Sequence, residues 1–124
     1  MALPPRPASA PPWHVPAVAA LYMAAQGRAQ PRHLVEQLVR DFNPQIMDMV
    51  VLTWIDLCAD ESKPDEFAMA DDTPEPMKWA ARVVFARLVG DELNWNALWG
   101  LSCDPDEWIE RWTALLRFCT HRQE

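Results

Sequence analysis

Carboxylates are the residues of this chain whose number and spacing could support chemistry. Between Asp56 and Glu75 the formal charge is −7, which equals that of all 124 residues. This acidic connector has no glycine and lacks the alternating oxygen ligands of a calcium loop, so we expect no metal there. A dense negative segment attracts basic surfaces. One base, Lys63, lies among its eight acids, which are Asp56, Asp60, Glu61, Asp65, Glu66, Asp71, Asp72 and Glu75.

A second carboxylate pattern, Glu107-x-x-Glu110, resembles the metal motif of all-α nucleotide pyrophosphohydrolases. The resemblance implies carboxylate-bound magnesium acting on a nucleotide. The family needs a second carboxylate motif, and the candidates Asp56 and Asp60 have a different spacing. Glu107 also fits as the capping-box partner of Asp104. This enzyme is therefore an alternative function, which predicts convergence of four carboxylates in one pocket: Asp48, Asp56, Glu107 and Glu110.

Histidine and cysteine are few and widely spaced. A nucleophile needs a positioned base, but His14, His33 and His121 lie on elements that do not obviously converge with a cysteine. The three cysteines, which are Cys58, Cys103 and Cys119, match no usual zinc spacing and no disulfide framework. We therefore expect no enzyme activity, no cofactor and no metal, and we expect a reduced, cytoplasmic protein.

The charge balance also restricts the partners. A net charge of −7 disfavours nucleic acid and anionic membranes, since both demand basic surface. The strongest helix-turn-helix candidate, residues 31–58, has no Lys or Arg in its second helix. A protein partner with a basic surface fits the charge. An acidic mimic of nucleic acid is a further alternative, and the Arg, Ala and Pro bias suggests a GC-rich bacterial or phage origin.

The elements that must position these residues are predicted to be helices. Apolar residues recur at helical spacing, and Pro16, Pro31, Pro44, Pro74 and Pro105 each stand where a helix can begin. The fold class is therefore all-α, a single bundle of five or six short helices. Six prolines within residues 1–16 predict an extended N-terminal arm over residues 1–15, and residues 16–124 form the helical domain.

Large apolar residues divide into a predicted core and predicted binding anchors. We expect Trp13 to pack on the body, and the third helix, which begins at Pro44, to be central because it is apolar almost all round. In the helix after Gly90 we expect Trp99 to be the deeper of two tryptophans and Trp95 the exposed one. The core is predicted to contain Trp54, Phe85, Trp108, Trp112 and Leu116.

These patterns predict a non-enzymatic protein-binding module, such as an adaptor, an immunity or antitoxin-like inhibitor, or a regulator. Acids of the connector would steer the partner, and exposed apolar residues would anchor it. The predicted binding residues are Trp95, Met49, Leu52, Asp65, Glu66, Asp71 and Asp72.

Overall fold

The computed structural model describes residues 12–60, 72–100 and 104–121. Within these ranges the chain forms helices and turns and no strand, which confirms the all-α prediction. Most of the predicted N-terminal arm and of the acidic connector, including Phe67, lies outside the described residues. The helices are α1 His14–Ala25, α2 Pro31–Asp41, α3 Pro44–Asp60, α4 Glu75–Val89, α5 Glu92–Trp99 and α6 Pro105–His121.

Helix starts follow the capping residues of the sequence. The amide of Ile46 donates to Asn43 Oδ1 at 2.9 Å, which caps α3, and the amide of Asn94 donates to Asp91 Oδ1, which caps α5. At α6 the Asp104 amide donates to a carboxylate oxygen of Glu107 at 3.5 Å, the return bond of a capping box. Three predicted starts are thus explained by short-range hydrogen bonds.

Two other starts differ from the prediction by one or two residues. α1 begins at His14 with Trp13 at its N-cap, ahead of the expected Pro16. α4 begins at Glu75 with Pro74 at its N-cap, one residue after the expected Pro74. Trp13 packs against the core as expected.

Glycine ends α1 and α4. Gly27 has φ 69° and Gly90 has φ 75°, a left-handed conformation that other residues adopt only with strain. The amide of the residue after Gly27 donates back to Met23 at 3.0 Å, and the amide after Gly90 donates back to Ala86 at 2.9 Å. Both are six-to-one bonds of the Schellman type, which fix where the next helix turns away.

The centre of the bundle is formed by α3 and α6. α3 packs against α1, α2, α4 and α6, and α6 packs against α1, α2, α3 and α4. The ring of Trp54 is fully buried between them, and its indole N–H donates to the Ala17 carbonyl of α1 at 2.8 Å. The predicted central position of α3 is confirmed.

The predicted core is correct for Trp54 and Leu116, which are buried, and wrong for Phe85, which is exposed. Trp108 and Trp112, which were expected to be mostly buried, are partly buried and pack against the core. The face that α4 buries is rotated from the expected one, since Trp79 is 3% exposed. Trp79 is directed to α6, where its ring meets the Trp108 ring edge to face at 5.8 Å. The prediction missed that tryptophan.

The third helix corrects one predicted anchor. Leu52 is buried, and Met49 is half-buried. Because α3 is enclosed by four other helices, even the sector that carries its polar residues is largely covered. Leu52 therefore belongs to the core and is not a surface anchor.

None of the helices described here is both long enough and apolar enough to cross a lipid bilayer.

Candidate functional site: an apolar cleft between α2, α3 and α6

A cavity of about 280 Å³ opens where the end of α2 and the beginnings of α3 and α6 meet. Its floor is the buried Met47, and its rim includes the exposed Pro44 and Pro105, which begin α3 and α6. Every lining side chain is apolar. We name this the apolar cleft, and it is lined by Val39, Phe42, Pro44, Met47, Pro105, Trp108, Ile109 and Trp112.

Two tryptophans form the α6 wall of the apolar cleft. Trp108 and Trp112 are one helical turn apart, and their rings stack at 5.9 Å with an interplanar angle of 26°. Behind them Trp79 contacts Trp108, and its indole N–H donates to the Leu98 carbonyl of α5 at 3.0 Å. The wall is therefore held rigidly from the core side while both rings keep a partly exposed surface.

A cation lies against the same wall. The guanidinium of Arg111 is 6.0 Å from the Trp108 ring centroid, within the range of a cation–π contact. It also pairs with Glu107 at 3.7 Å across one helical turn. Arg111 does not line the apolar cleft, so the aromatic rings of α6, and not the guanidinium, face it.

Carboxylates flank the lining in the sequence. Six acids and two bases are the chain neighbours of lining residues, and five of these acids are exposed. Asn43, also a chain neighbour of the lining, caps α3, and Asp104 and Glu107 form the capping box of α6. The net charge of these chain neighbours is nonetheless negative. The acids are Asp41, Asp48, Asp104, Asp106, Glu107 and Glu110, and the bases are Arg40 and Arg111.

Asp48, next to the cleft floor on α3, is half-buried. Burial of its carboxyl disfavours the charged form and raises the pKa of Asp48 above its ordinary value. At pH values between the pKa of Asp48 in the unfolded chain and its higher pKa in the folded protein, the folded protein keeps a proton that the unfolded chain has lost. The stability of the protein therefore falls as pH rises through this interval. We expect Asp48→Asn to gain stability relative to the wild type as pH rises above about 4, the ordinary pKa of an aspartate carboxyl.

The measurement is a urea unfolding curve of Asp48→Asn and of the wild type at a series of pH values below and above that ordinary pKa. A difference between Asp48→Asn and the wild type that shrinks as pH rises would contradict the raised pKa. Asp41→Asn is the matched control, because the Asp41 side chain is exposed.

The prediction that Trp95 is an exposed anchor is wrong. Trp95 is 2% exposed and Trp99 is half-buried, so one ring is deeper than the other as expected, but in the opposite order. The two rings stack at 4.9 Å with an angle of 14°. The guanidinium of Arg87 also lies over the Trp95 ring, 5.7 Å from the ring centroid.

Arg87 is in turn fixed by α3. Its Nε donates to Asp56 Oδ1 at 2.7 Å and its Nη2 donates to Oδ2 at 3.3 Å, and the arginine side chain is 6% exposed. Asp56, Arg87, Trp95 and Trp99 form one continuous stack from α3 through α4 to α5, which we name the Asp56–Trp99 stack.

The remaining predicted binding residues are acids. Asp72 is exposed, whereas Asp65, Glu66 and Asp71 lie outside the described residues. Among the residues that the structure places, no three His, Cys, Asp or Glu side chains come close enough to share a metal ion. The four carboxylates of the enzyme alternative, all within the described ranges, thus do not form its pocket: Asp48, Asp56, Glu107 and Glu110.

Comparisons with protein-family models, with curated proteins and with solved structures find no match to this chain. The site must therefore be interpreted from its own geometry.

The apolar cleft was not predicted from the sequence. The spacing of Trp108 and Trp112 placed both rings on one face of a helix, and the core was the expected place for that face. A signal was present in the two Asn/Asp-Pro helix starts, at Asn43-Pro44 and Asp104-Pro105. Their convergence at one point could only be seen in the fold, because it depends on how α3 packs on α6.

Proposed function

We propose that this protein is a non-enzymatic binding module whose apolar cleft takes one large apolar side chain from a basic protein segment. The observation that carries the proposal is a concave, wholly apolar lining with two half-buried tryptophans in a chain of net charge −7. The sulfur-bearing side chains of Cys58 and Cys119 are buried as thiols, which agrees with the reducing cytoplasmic location that we propose for the protein.

The lining favours an apolar anchor over a polar substrate. Small-molecule sites combine an apolar wall with a few convergent polar groups that orient the ligand, but no polar side chain lines this cleft. Its volume, about 280 Å³, also lies just below the roughly 300–1,000 Å³ of pockets that enclose drug-sized ligands. Half-buried tryptophans are the residue type that most often dominates binding energy at protein interfaces.

The charge favours basic residues beside that anchor. Most of the ionised groups that adjoin the lining in the chain are carboxylates, and the acidic connector adds further negative charge after α3. Complementary charge raises the association rate and excludes acidic partners. The connector therefore serves for steering, and the cleft serves for retention.

A random peptide library displayed on phage tests the proposal on the intact protein. We expect the selected peptides to share a Trp, Phe or Leu with Lys or Arg close by, and a synthetic peptide of that sequence to bind. Ile109→Gln should weaken its binding by at least about tenfold, which corresponds to about 1.4 kcal/mol. Selected peptides that are acidic, or that lack a common apolar residue, would overturn the proposal.

A matched control separates cleft binding from general stickiness. Leu93→Gln likewise replaces an apolar side chain by glutamine, but Leu93 is an exposed residue of α5 and does not line the cleft. It should bind the selected peptide as tightly as the wild type does. Equal weakening by Leu93→Gln and Ile109→Gln would mean that the peptide does not occupy the cleft.

Kinetics distinguish the two roles. Replacement of the four connector acids Asp65, Glu66, Asp71 and Asp72 by their amides should slow association and change dissociation little, and the difference should vanish in high salt. Ile109→Gln should instead speed dissociation. An unchanged association rate in the amide variant would exclude steering by the connector. Binding in the cleft would still be tested separately by Ile109→Gln.

A further inference from the structure

The first helix has an exposed face without any charge. α1 contains no Asp, Glu, Lys or Arg among its twelve residues, unlike the other five helices. It buries Ala17, Ala20 and Leu21 against the bundle. On the opposite side Val15 is 72% exposed and Tyr22 is 64% exposed. A helix that is apolar all round is normally covered on all sides.

The exposed residues form a narrow stripe. Val15, Ala19 and Tyr22 are spaced by four and three residues, so at about 100° per residue they lie within about 60° of one another. Met23, also exposed, adjoins the stripe. These exposed apolar residues thus share one face of α1, whereas exposed apolar residues that have no role in binding are usually scattered singly. It is separate from the apolar cleft, which no residue of α1 lines.

We propose that this stripe pairs with the α1 stripe of a second copy of the chain, in an antiparallel two-fold dimer centred on Ala19. A two-fold interface must be complementary to itself. Rotation about Ala19 sets the large Tyr22 of one copy over the smaller Val15 of the other, and it sets two alanines face to face where the helices approach most closely.

The charge distribution supports a second copy as the occupant. Two chains of net charge −7 repel each other, and a contact through a charge-free helix adds no like-charge pair to that repulsion. A basic partner would instead be drawn to the carboxylates near the apolar cleft and in the connector. The α1 stripe has nothing to offer such a partner except apolar area.

The size of the stripe sets the strength of the dimer. Twelve helical residues extend about 18 Å, so a pair of α1 helices buries less than the roughly 800 Å² per partner of a standard stable interface. The dimer is therefore weak and reversible, with a dissociation constant in the micromolar to millimolar range.

Sedimentation velocity of the full chain from about 10 μM to about 1 mM, the range that suits so small an interface, tests the pairing. The weight-average mass should rise towards twice that of the monomer. Tyr22→Glu should keep the protein monomeric throughout. Leu93→Glu is the matched control, since it adds the same charge and removes an apolar side chain that is 86% exposed on α5, and it should dimerise like the wild type. A wild type that remains monomeric, or equal loss in both variants, overturns the proposal.

Cysteine cross-linking tests the orientation. Under oxidation the Ala19→Cys variant should form a disulfide-linked dimer, because the two-fold axis passes beside this residue. The Tyr22→Cys variant should not, because antiparallel pairing offsets the two Cα atoms by about 9 Å along the helices, beyond the roughly 7 Å limit for a disulfide. The wild type controls for its native cysteines. A cross-link in the Tyr22→Cys variant without one in the Ala19→Cys variant would overturn the antiparallel arrangement.

Discussion

Trp95→Ala is expected to lower the free energy of unfolding by about 3–5 kcal/mol, the usual cost of truncating a buried aromatic side chain. The ring is 2% exposed and contacts both the guanidinium of Arg87 and the ring of Trp99. Its removal opens a cavity beside a buried ion pair, where relaxation is restricted. Since a typical domain has a total stability of about 5–15 kcal/mol, urea denaturation should show a large loss.

The same helix supplies the control for this substitution. Leu93 is also an apolar residue of α5, but its side chain is 86% exposed. Leu93→Ala should therefore change the free energy of unfolding by less than about 0.5 kcal/mol. If Trp95→Ala proves as mild as Leu93→Ala, then Trp95 is not part of the core and α5 is packed differently.

Hydrogen exchange adds a local measurement. Within the described residues α5 packs against α4 and against no other helix, and its eight residues form a helix too short to be stable alone in water. Loss of Trp95 should therefore raise amide exchange in α5 more than in α3 or α6. Uniform acceleration across all helices would show that α5 does not open separately from the rest.

The helix boundaries were predictable because short-range chemistry determines them. Asn43, Asp91 and Asp104 each make a capping contact within three residues, and Gly27 and Gly90 have the positive φ that ends a helix. Such signals are visible in sequence because donor and acceptor are near neighbours in the chain. α1, α2 and α4 lack side-chain caps, and the two predicted starts in error are both among these three.

The positions of the tryptophans were harder to predict because distant residues decide them. Helical periodicity placed Trp95 and Trp99 on one stripe, but α5 has large apolar residues on more than one side. The deeper ring, Trp95, contacts Arg87, whose guanidinium is held by Asp56, 31 residues earlier in the chain. No local pattern contains that pairing.

Distant parts of the chain also decide how far Trp108 and Trp112 are buried. Their spacing predicts one apolar face, and α6 does direct that face inwards. The helices opposite stop short of them, since α2 ends at Asp41 and α3 begins at Pro44. The turn at Phe42 therefore leaves the apolar cleft where a fully packed core was expected.

Removal of Arg87 from the Asp56–Trp99 stack is expected to be comparably costly. Arg87→Met leaves a carboxylate that is 14% exposed without its arginine, and loss of one member of a buried ion pair costs about 3–5 kcal/mol. Because Asp56 keeps some access to water, we expect a value near the lower end of that range. The methionine retains apolar contact with the Trp95 ring, so lost packing is a minor part of the effect.

A double-mutant cycle tells whether the ion pair itself is responsible. The double variant Asp56→Leu with Arg87→Met replaces both charges by apolar groups, which for buried pairs is often neutral or stabilising. We expect its free energy of unfolding to be within about 1 kcal/mol of the wild type, well above that of either single variant. The coupling energy should exceed about 1 kcal/mol, as for residues in direct contact. Additive losses with a coupling below about 0.5 kcal/mol would mean that the pair acts like an exposed surface salt bridge.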